Sequence, residues 1–159
     1  MRLHRRKERR RFGLNKEHTW PQSLGAGSEP ARSDLYNLFP TRSDVNSSRG
    51  NSPFGVVVRV DRLWDDASGS KVGGDADGLR VFEPRLVHKG NVARAMFYFS
   101  IVYSLAIDSK QEVSLRSWHR LDPVDEAELA RADKIAAKYQ KNRNPFIDIP
   151  AFVDRISDF

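Results

Sequence analysis

Apolar and polar positions change their rhythm along this 159-residue chain, and the change predicts its elements. The first third is short-patterned. Residues 12–20 suit a short strand running into a loop, and the Gly/Ser/Pro-rich stretch 21–34 reads as loop. Residues 35–40 form an apolar turn. Residues 41–51 predict a short helix with Thr41 as N-cap, Asp44 in the first turn and Gly50 as its stop. "FGVVVRV" (54–60) is β-branched and bounded by turn residues, hence a strand. A polar, Gly-rich connection follows at 65–78, then a second strand at 79–84.

The second half has helical periodicity. Residues 89–105 are apolar on most faces and predict a central helix, and 110–121 predict another. Asp122 reads as a cap, with Pro123 at the first helical position and Asp125, Glu126 and Glu128 in the early turns. Lys134, Lys138 and Lys141 come late and Pro145 stops the helix, so the charges suit the helix dipole. The tail 144–156 should dock through Phe146, Ile147, Phe152 and Ile156. No repeat or second hydrophobic body interrupts 12–159, which reads as one domain. The longest apolar run, 92–107, is too short to span a membrane and carries Arg94, which demands a buried partner.

Charge changes the picture only at the N-terminus. The chain holds 27 Lys and Arg against 21 Asp and Glu, a net charge of +6. Seven basic residues and one acidic residue fall in "MRLHRRKERRR", so everything after residue 11 balances at 20 against 20. Residues 1–11, His4 included, are expected to be a disordered basic arm able to attract phosphates, or the product of a misassigned gene start. No h-region follows the arm, so it is not a signal peptide as it stands. With no cysteine, disulfides and thiolate metal sites are excluded.

The candidate chemistry is oxygen- and imidazole-based. "NKEHTWPQS" (15–23) sets Glu17 beside His18, a hard ligand next to a proton acceptor. Asn46 and Arg49 lie three apart on the short helix and share a face, with Asn51 just beyond. A carboxylate and an amide oxygen suit Mg²⁺ or Ca²⁺, with water and phosphate completing the shell. Successive strand residues face opposite sides, so joint service of Glu17 and His18 requires an irregular backbone there.

Six blocks carry a family resemblance: "NKEHTWPQS" (15–23), "SDLYNLFPTRSDVNSSRGNSPFG" (33–55), "FEP" (82–84), "HKGNVARAMFYF" (88–99), "WHRLDPVDEAE" (118–128) and "QKNRNPFIDIP" (140–150). In this order they resemble the bacterial endonuclease I family of secreted and periplasmic nonspecific nucleases. The resemblance implies an α+β fold, a ββα-metal (His-Me finger) nuclease core, mainly helical with a small antiparallel sheet. It implies that Glu17 and Asn46 hold one Mg²⁺, for which Ca²⁺ or Mn²⁺ could substitute, and that His18 is the general base. Arg49 falls near the phosphate, in catalysis and substrate binding, or braces the motif. Arg32 lies in the loop where some relatives place a substrate-binding arginine. The implied activity is endonucleolytic hydrolysis of DNA, with RNA a further substrate, leaving 5′-phosphates. The phosphate backbone would be the partner, with no membrane insertion, in an extracellular or periplasmic setting.

The chain departs from the family before Glu17, where relatives carry a signal peptide and a further folded segment. It is therefore expected to be N-terminally truncated. The alternative reading is a catalytically inactive relative or a basic nucleic-acid-binding remnant. The other conspicuous residues read as structural: Arg94 in an internal ion pair, His88 and His119 as packed or solvated, "NRNPFID" (142–148) as a latch, and Trp20, Trp64 and Trp118 as anchors.

Overall fold

The structure, a computed structural model, describes residues 13–64 and 69–159; the basic arm expected at 1–11 lies outside the described residues. Strand β1 (Leu14–His18) pairs antiparallel with β2 (Leu38–Arg42), Glu17 opposite Phe39 and His18 opposite Leu38. The chain passes from β2 straight into helix α1 (Ser43–Arg49), which packs on both strands. A second antiparallel sheet has the order β3 (Arg59–Leu63), β4 (Lys71–Gly74), β5 (Arg80–Glu83). Helices α2 (Lys89–Tyr103), α3 (Ser109–Leu121), α4 (Glu126–Lys134) and α5 (Pro145–Asp148) complete an α+β fold in which helix predominates.

Helix α2 is the core element that the all-round apolar pattern requires. Ala93, Phe97 and Phe99 on it are wholly buried. Trp20 stacks on Phe99 at 5.5 Å between ring centroids, and Phe97 packs on Phe146 and Phe159 of the tail. Phe146 and Ile147 are buried and Phe152 and Ile156 pack against the core, so the tail docks as predicted. The 142–148 stretch does act as a latch: Asn144 donates to Arg94 O at 3.0 Å and Asn142 to Tyr98 OH at 2.7 Å. Buried Arg94 meets Glu128 through two hydrogen bonds of 2.9 and 2.6 Å, which supplies the partner its burial demands.

Several boundaries differ from the sequence pattern. The strand expected at 54–60 lies at 59–63. Phe54 makes only an isolated bridge to Phe82, and the Val57 amide is taken by the Glu83 side chain rather than by a neighbouring strand. Strand β4 lies inside the stretch read as loop, because its glycines signal packing rather than a turn. A Cβ on Gly73 would lie 2.0 Å from Arg59 O. Residues 38–40, read as turn, and 41–42, read as helix, form strand β2. Pro40 is tolerated there because the sheet has two strands and each has a free edge. Thr41 is therefore in β2 and caps nothing; Arg42 occupies the N-cap position, while Gly50 (φ 54°) does end α1. Asp122 accepts from Gly90 N at the start of α2, and Asp125 is the cap of α4. That helix ends in a π-turn at Ile135–Tyr139, and Pro145 opens α5 behind the Asn144 cap instead of stopping α4.

Candidate active site

Strands β1 and β2 and helix α1 bring Glu17, His18, Asn46 and Arg49 together. Arg49 projects from α1 into the end of β1 and is 3 % exposed along its side chain. Its Nη1 donates to Glu17 Oε1 at 2.5 Å and to His18 O at 2.9 Å, its Nη2 to Thr19 O at 2.8 Å, and its Nε to Ser52 O at 3.3 Å. The guanidinium also lies over the Phe54 ring at 4.3 Å. Its donors are committed to protein acceptors, so of the two readings of Arg49 the geometry favours the brace. Burial lowers the pKa of Arg49, and the Glu17 charge opposes that shift.

Glu17 is left asymmetric. One carboxylate oxygen holds Arg49, while Oε2 is buried and has no hydrogen-bond partner among the described residues. Burial raises its pKa despite the pull of Arg49. An unsatisfied buried carboxylate oxygen is costly, and a cation removes that cost. Asn46 directs its amide nitrogen toward Lys16 O at 3.5 Å, which leaves Oδ1 free to accept. Glu17, His18 and Asn46, with Gln22 and Asn51, border one open cleft of about 430 Å³. A larger cavity of about 600 Å³ shares Glu17, Asn46 and Arg49 but not His18, so the smaller cleft is where His18 meets Glu17 and Asn46. Among the described residues no three His, Cys, Asp or Glu side chains form a metal-holding group. One carboxylate oxygen and one amide oxygen could together hold a hard, mostly hydrated ion, as Mg²⁺ accepts.

His18 is held from both sides. Its Nε2 lies 3.0 Å from Arg32 O. A carbonyl can only accept, so this nitrogen carries the proton and Nδ1 carries the lone pair. Gln22 Nε2 donates to that Nδ1 at 3.2 Å. Arg32 gives its backbone carbonyl to His18, while its guanidinium is solvent-exposed and pairs with Glu29 at 3.3 Å. The ladder is regular through His18, so the irregular backbone expected within the strand is absent. The strand ends at His18, and the cleft opens at that end.

Two groups in this site escaped sequence reasoning. Gln22 reaches His18 because Pro21 leads into a 3₁₀ turn (Gln22–Leu24) that folds the chain back; only its place within "NKEHTWPQS" hinted at a role. Asp34 is buried and accepts from Tyr36 N (2.9 Å), Tyr98 OH (2.9 Å), Tyr103 OH (2.8 Å) and Gln140 Nε2 (3.0 Å). Burial and the Asp34 charge raise both tyrosine pKa values, so these hydroxyls stay donors. The hub fixes the segment whose carbonyl orients His18. His119 stands apart and faces Pro150 O at 3.1 Å, while His88 lines the larger cavity and packs edge-on against Phe39 at 4.8 Å. The three tryptophans are buried anchors.

Sequence comparison agrees with this geometry. The Endonuclease I family model matches residues 4–151. The chain belongs to the endonuclease I family. Within the family it is 36 % identical over 162 residues to an extracellular ribonuclease of Bacillus subtilis (strain 168), covering 89 % of this chain and 53 % of that protein. It is 34 % identical over 163 residues to an extracellular ribonuclease of Bacillus amyloliquefaciens, with the same coverages of 89 % and 53 %. An extracellular deoxyribonuclease of Aeromonas hydrophila is 32 % identical over 121 residues, covering 72 % of this chain and 48 % of that protein. This endonuclease I chain thus spans about half the length of the curated relatives it matches.

Proposed function

We propose that this chain is a metal-dependent nonspecific endonuclease acting on phosphodiester bonds of DNA and RNA, in an extracellular or periplasmic setting. The observation that carries the reading is a buried Glu17 Oε2, unpartnered among the described residues, beside a His18 whose lone pair is fixed on Nδ1. The names of the relatives, which include ribonucleases and deoxyribonucleases, support a broad substrate range. No described helix is long and apolar enough to cross a membrane.

Glu17 and Asn46 would hold Mg²⁺, which supplies Lewis-acid stabilisation of the phosphoryl oxygens and of the departing 3′ oxygen. His18 takes a proton from water at Nδ1 while Arg32 O keeps Nε2–H in place. The water oxygen bonds to phosphorus, the bond from phosphorus to the 3′ oxygen breaks, and the leaving oxygen takes a solvent proton. The products are a 5′-phosphate and a 3′-hydroxyl. Arg49 is a positioning residue that holds Glu17 and the end of β1 in register with α1. Contacts confined to phosphate carry no sequence information, which suits a nonspecific enzyme.

The test is supercoiled-plasmid nicking with Mg²⁺ and with EDTA, beside His18→Ala and Glu17→Gln. Cleavage that needs the metal and collapses in both variants supports the proposal. A folded chain that cuts nothing under any condition would mark it as a catalytically silent relative.

A further inference from the structure

The β3–β4–β5 sheet carries three exposed arginines that the chemistry above does not use. Arg59 pairs across to Gly74, which pairs in turn to Arg80, so Arg59 and Arg80 project from one face of the sheet. Arg62 is three residues after Arg59 and in a regular strand would point to the other face. A β-bulge between Val60 and Arg62 resets the register, so that Arg62 stands opposite Val72 and Val72 opposite Phe82. Phe82 is two residues from Arg80 and shares its face. The bulge therefore brings all three guanidinium groups to one side, which is the kind of re-aiming such bulges perform.

That side is the one on which α1 lies. Arg62 Nη1 donates to Ser48 Oγ at 3.3 Å and Arg80 Nη2 to Ser48 O at 3.2 Å. Ser48 is two residues from Asn46, which on a helix sets them on roughly opposite sides. One flank of α1 thus faces the cleft and the other faces the arginines. The side chains of Arg59, Arg62 and Arg80 are 72 %, 49 % and 55 % exposed. Their carboxylate contacts are long or shared. Arg59 and Arg80 divide Asp61 at 3.1 and 3.7 Å, and Arg62 reaches an Asp44 already paired with Arg42 at 2.9 Å. Exposed pairs of this kind contribute little, so exchange for a phosphate oxygen costs little.

We propose that Arg59, Arg62 and Arg80 form a second phosphate-contact surface, which binds the nucleic-acid backbone beyond the scissile bond. The proposal rests on the nuclease reading. A guanidinium fork suits phosphate geometry, and among the described residues Arg59 and Arg80 share one exposed carboxylate, that of Asp61. A helix diameter of about 10 Å separates this face from the cleft, roughly three steps of a strand that rises 3.4 Å per nucleotide. A polyanion seated at the cleft meets these arginines; a single small diester does not reach them.

The experiment uses the full chain, the double variant Arg59→Gln/Arg80→Gln, and a charge-matched control, Lys134→Gln/Lys138→Gln, on the exposed end of α4. Binding of a labelled 30-base-pair duplex is followed by fluorescence anisotropy in EDTA from low to high salt. Hydrolysis of the same duplex and of bis(p-nitrophenyl) phosphate is followed with Mg²⁺. The arginine variant is expected to bind the duplex about tenfold more weakly at low salt. The slope of log K against log salt should shrink by roughly 2, about one per lost phosphate contact. KM for the duplex should rise, and hydrolysis of the small diester should stay as in the parent chain. An unchanged slope, an equal change in the control, or equal losses on duplex and small diester would each overturn the proposal. If the parent chain cuts neither substrate, the nuclease reading fails, and the anisotropy slopes still decide the surface.

Discussion

Arg49 Nη1 sits 2.5 Å from Glu17 Oε1 while the second oxygen of the same carboxylate is buried with no partner among the described residues. The pair thus joins a structural brace to a carboxylate oxygen that still has room for a partner. The arginine makes burial of the carboxylate tolerable, and the orphaned oxygen is what a divalent ion would take up.

Arg49→Ala should be severely destabilising, because it strands a buried carboxylate and opens space over Phe54. Breaking one side of a buried pair costs about 3–5 kcal/mol. Urea unfolding should show a loss in that range, with a partial return when Glu17→Gln is added. A loss below about 1 kcal/mol would mean that the bridge is not a brace.

Metal should stabilise the folded chain. Ca²⁺ at 100 times its Kd is expected to add about 2.7 kcal/mol by mass action. The resulting rise in Tm should vanish in Glu17→Gln and shrink in Asn46→Ala. A Tm that rises equally in all three proteins would remove Glu17 and Asn46 from the metal site.

Gln22 donates to the nitrogen proposed to accept a water proton, so in that role its bond would compete with the nucleophile. A neutral hydrogen bond is worth about 1 kcal/mol net. Gln22→Ala should therefore raise kcat/KM up to about fivefold, with stability unchanged because Gln22 is exposed. A fall in kcat instead would show that the amide orients the ring.

Acid should weaken the fold through His88. Burial, reinforced by Arg85, lowers its pKa to about 4 from an unperturbed value near 6.5. Below pH 6.5 the unfolded chain binds the proton first, so stability is fully present above that pH. It declines as pH falls from about 6.5 to about 4. The ring keeps some solvent contact, so the loss should be about 2 kcal/mol rather than the full linkage value. In His88→Asn the slope of unfolding free energy against pH over that window should flatten; an unchanged slope would place the titration elsewhere.

Much of this protein was legible in the order of its residues. Helix α2 follows from its apolar faces, and the need of Arg94 for a partner follows from a charge set among them. The docking tail follows from Phe146 and Ile147, and the family from six ordered blocks. Those features depend on local pattern and on burial, which a sequence encodes directly. The strands were read less well. Pro40 and Gly73 look like turn residues, and they sit in strands only because one has a free edge and the other a carbonyl pressed against it.

The sequence by itself offered Glu17, His18 and Asn46 as candidates to hold a metal and move a proton. Only the tertiary structure decided which nitrogen of His18 carries its lone pair, because that depends on a carbonyl fourteen residues away. It likewise decided that Arg49 is spent on bracing and that one oxygen of Glu17 is left over. A bulge of one residue also turned Arg62 to the face that Arg59 and Arg80 share. Hydrogen-bond partners at a distance and strand register are properties of the folded chain, and no local pattern carries them.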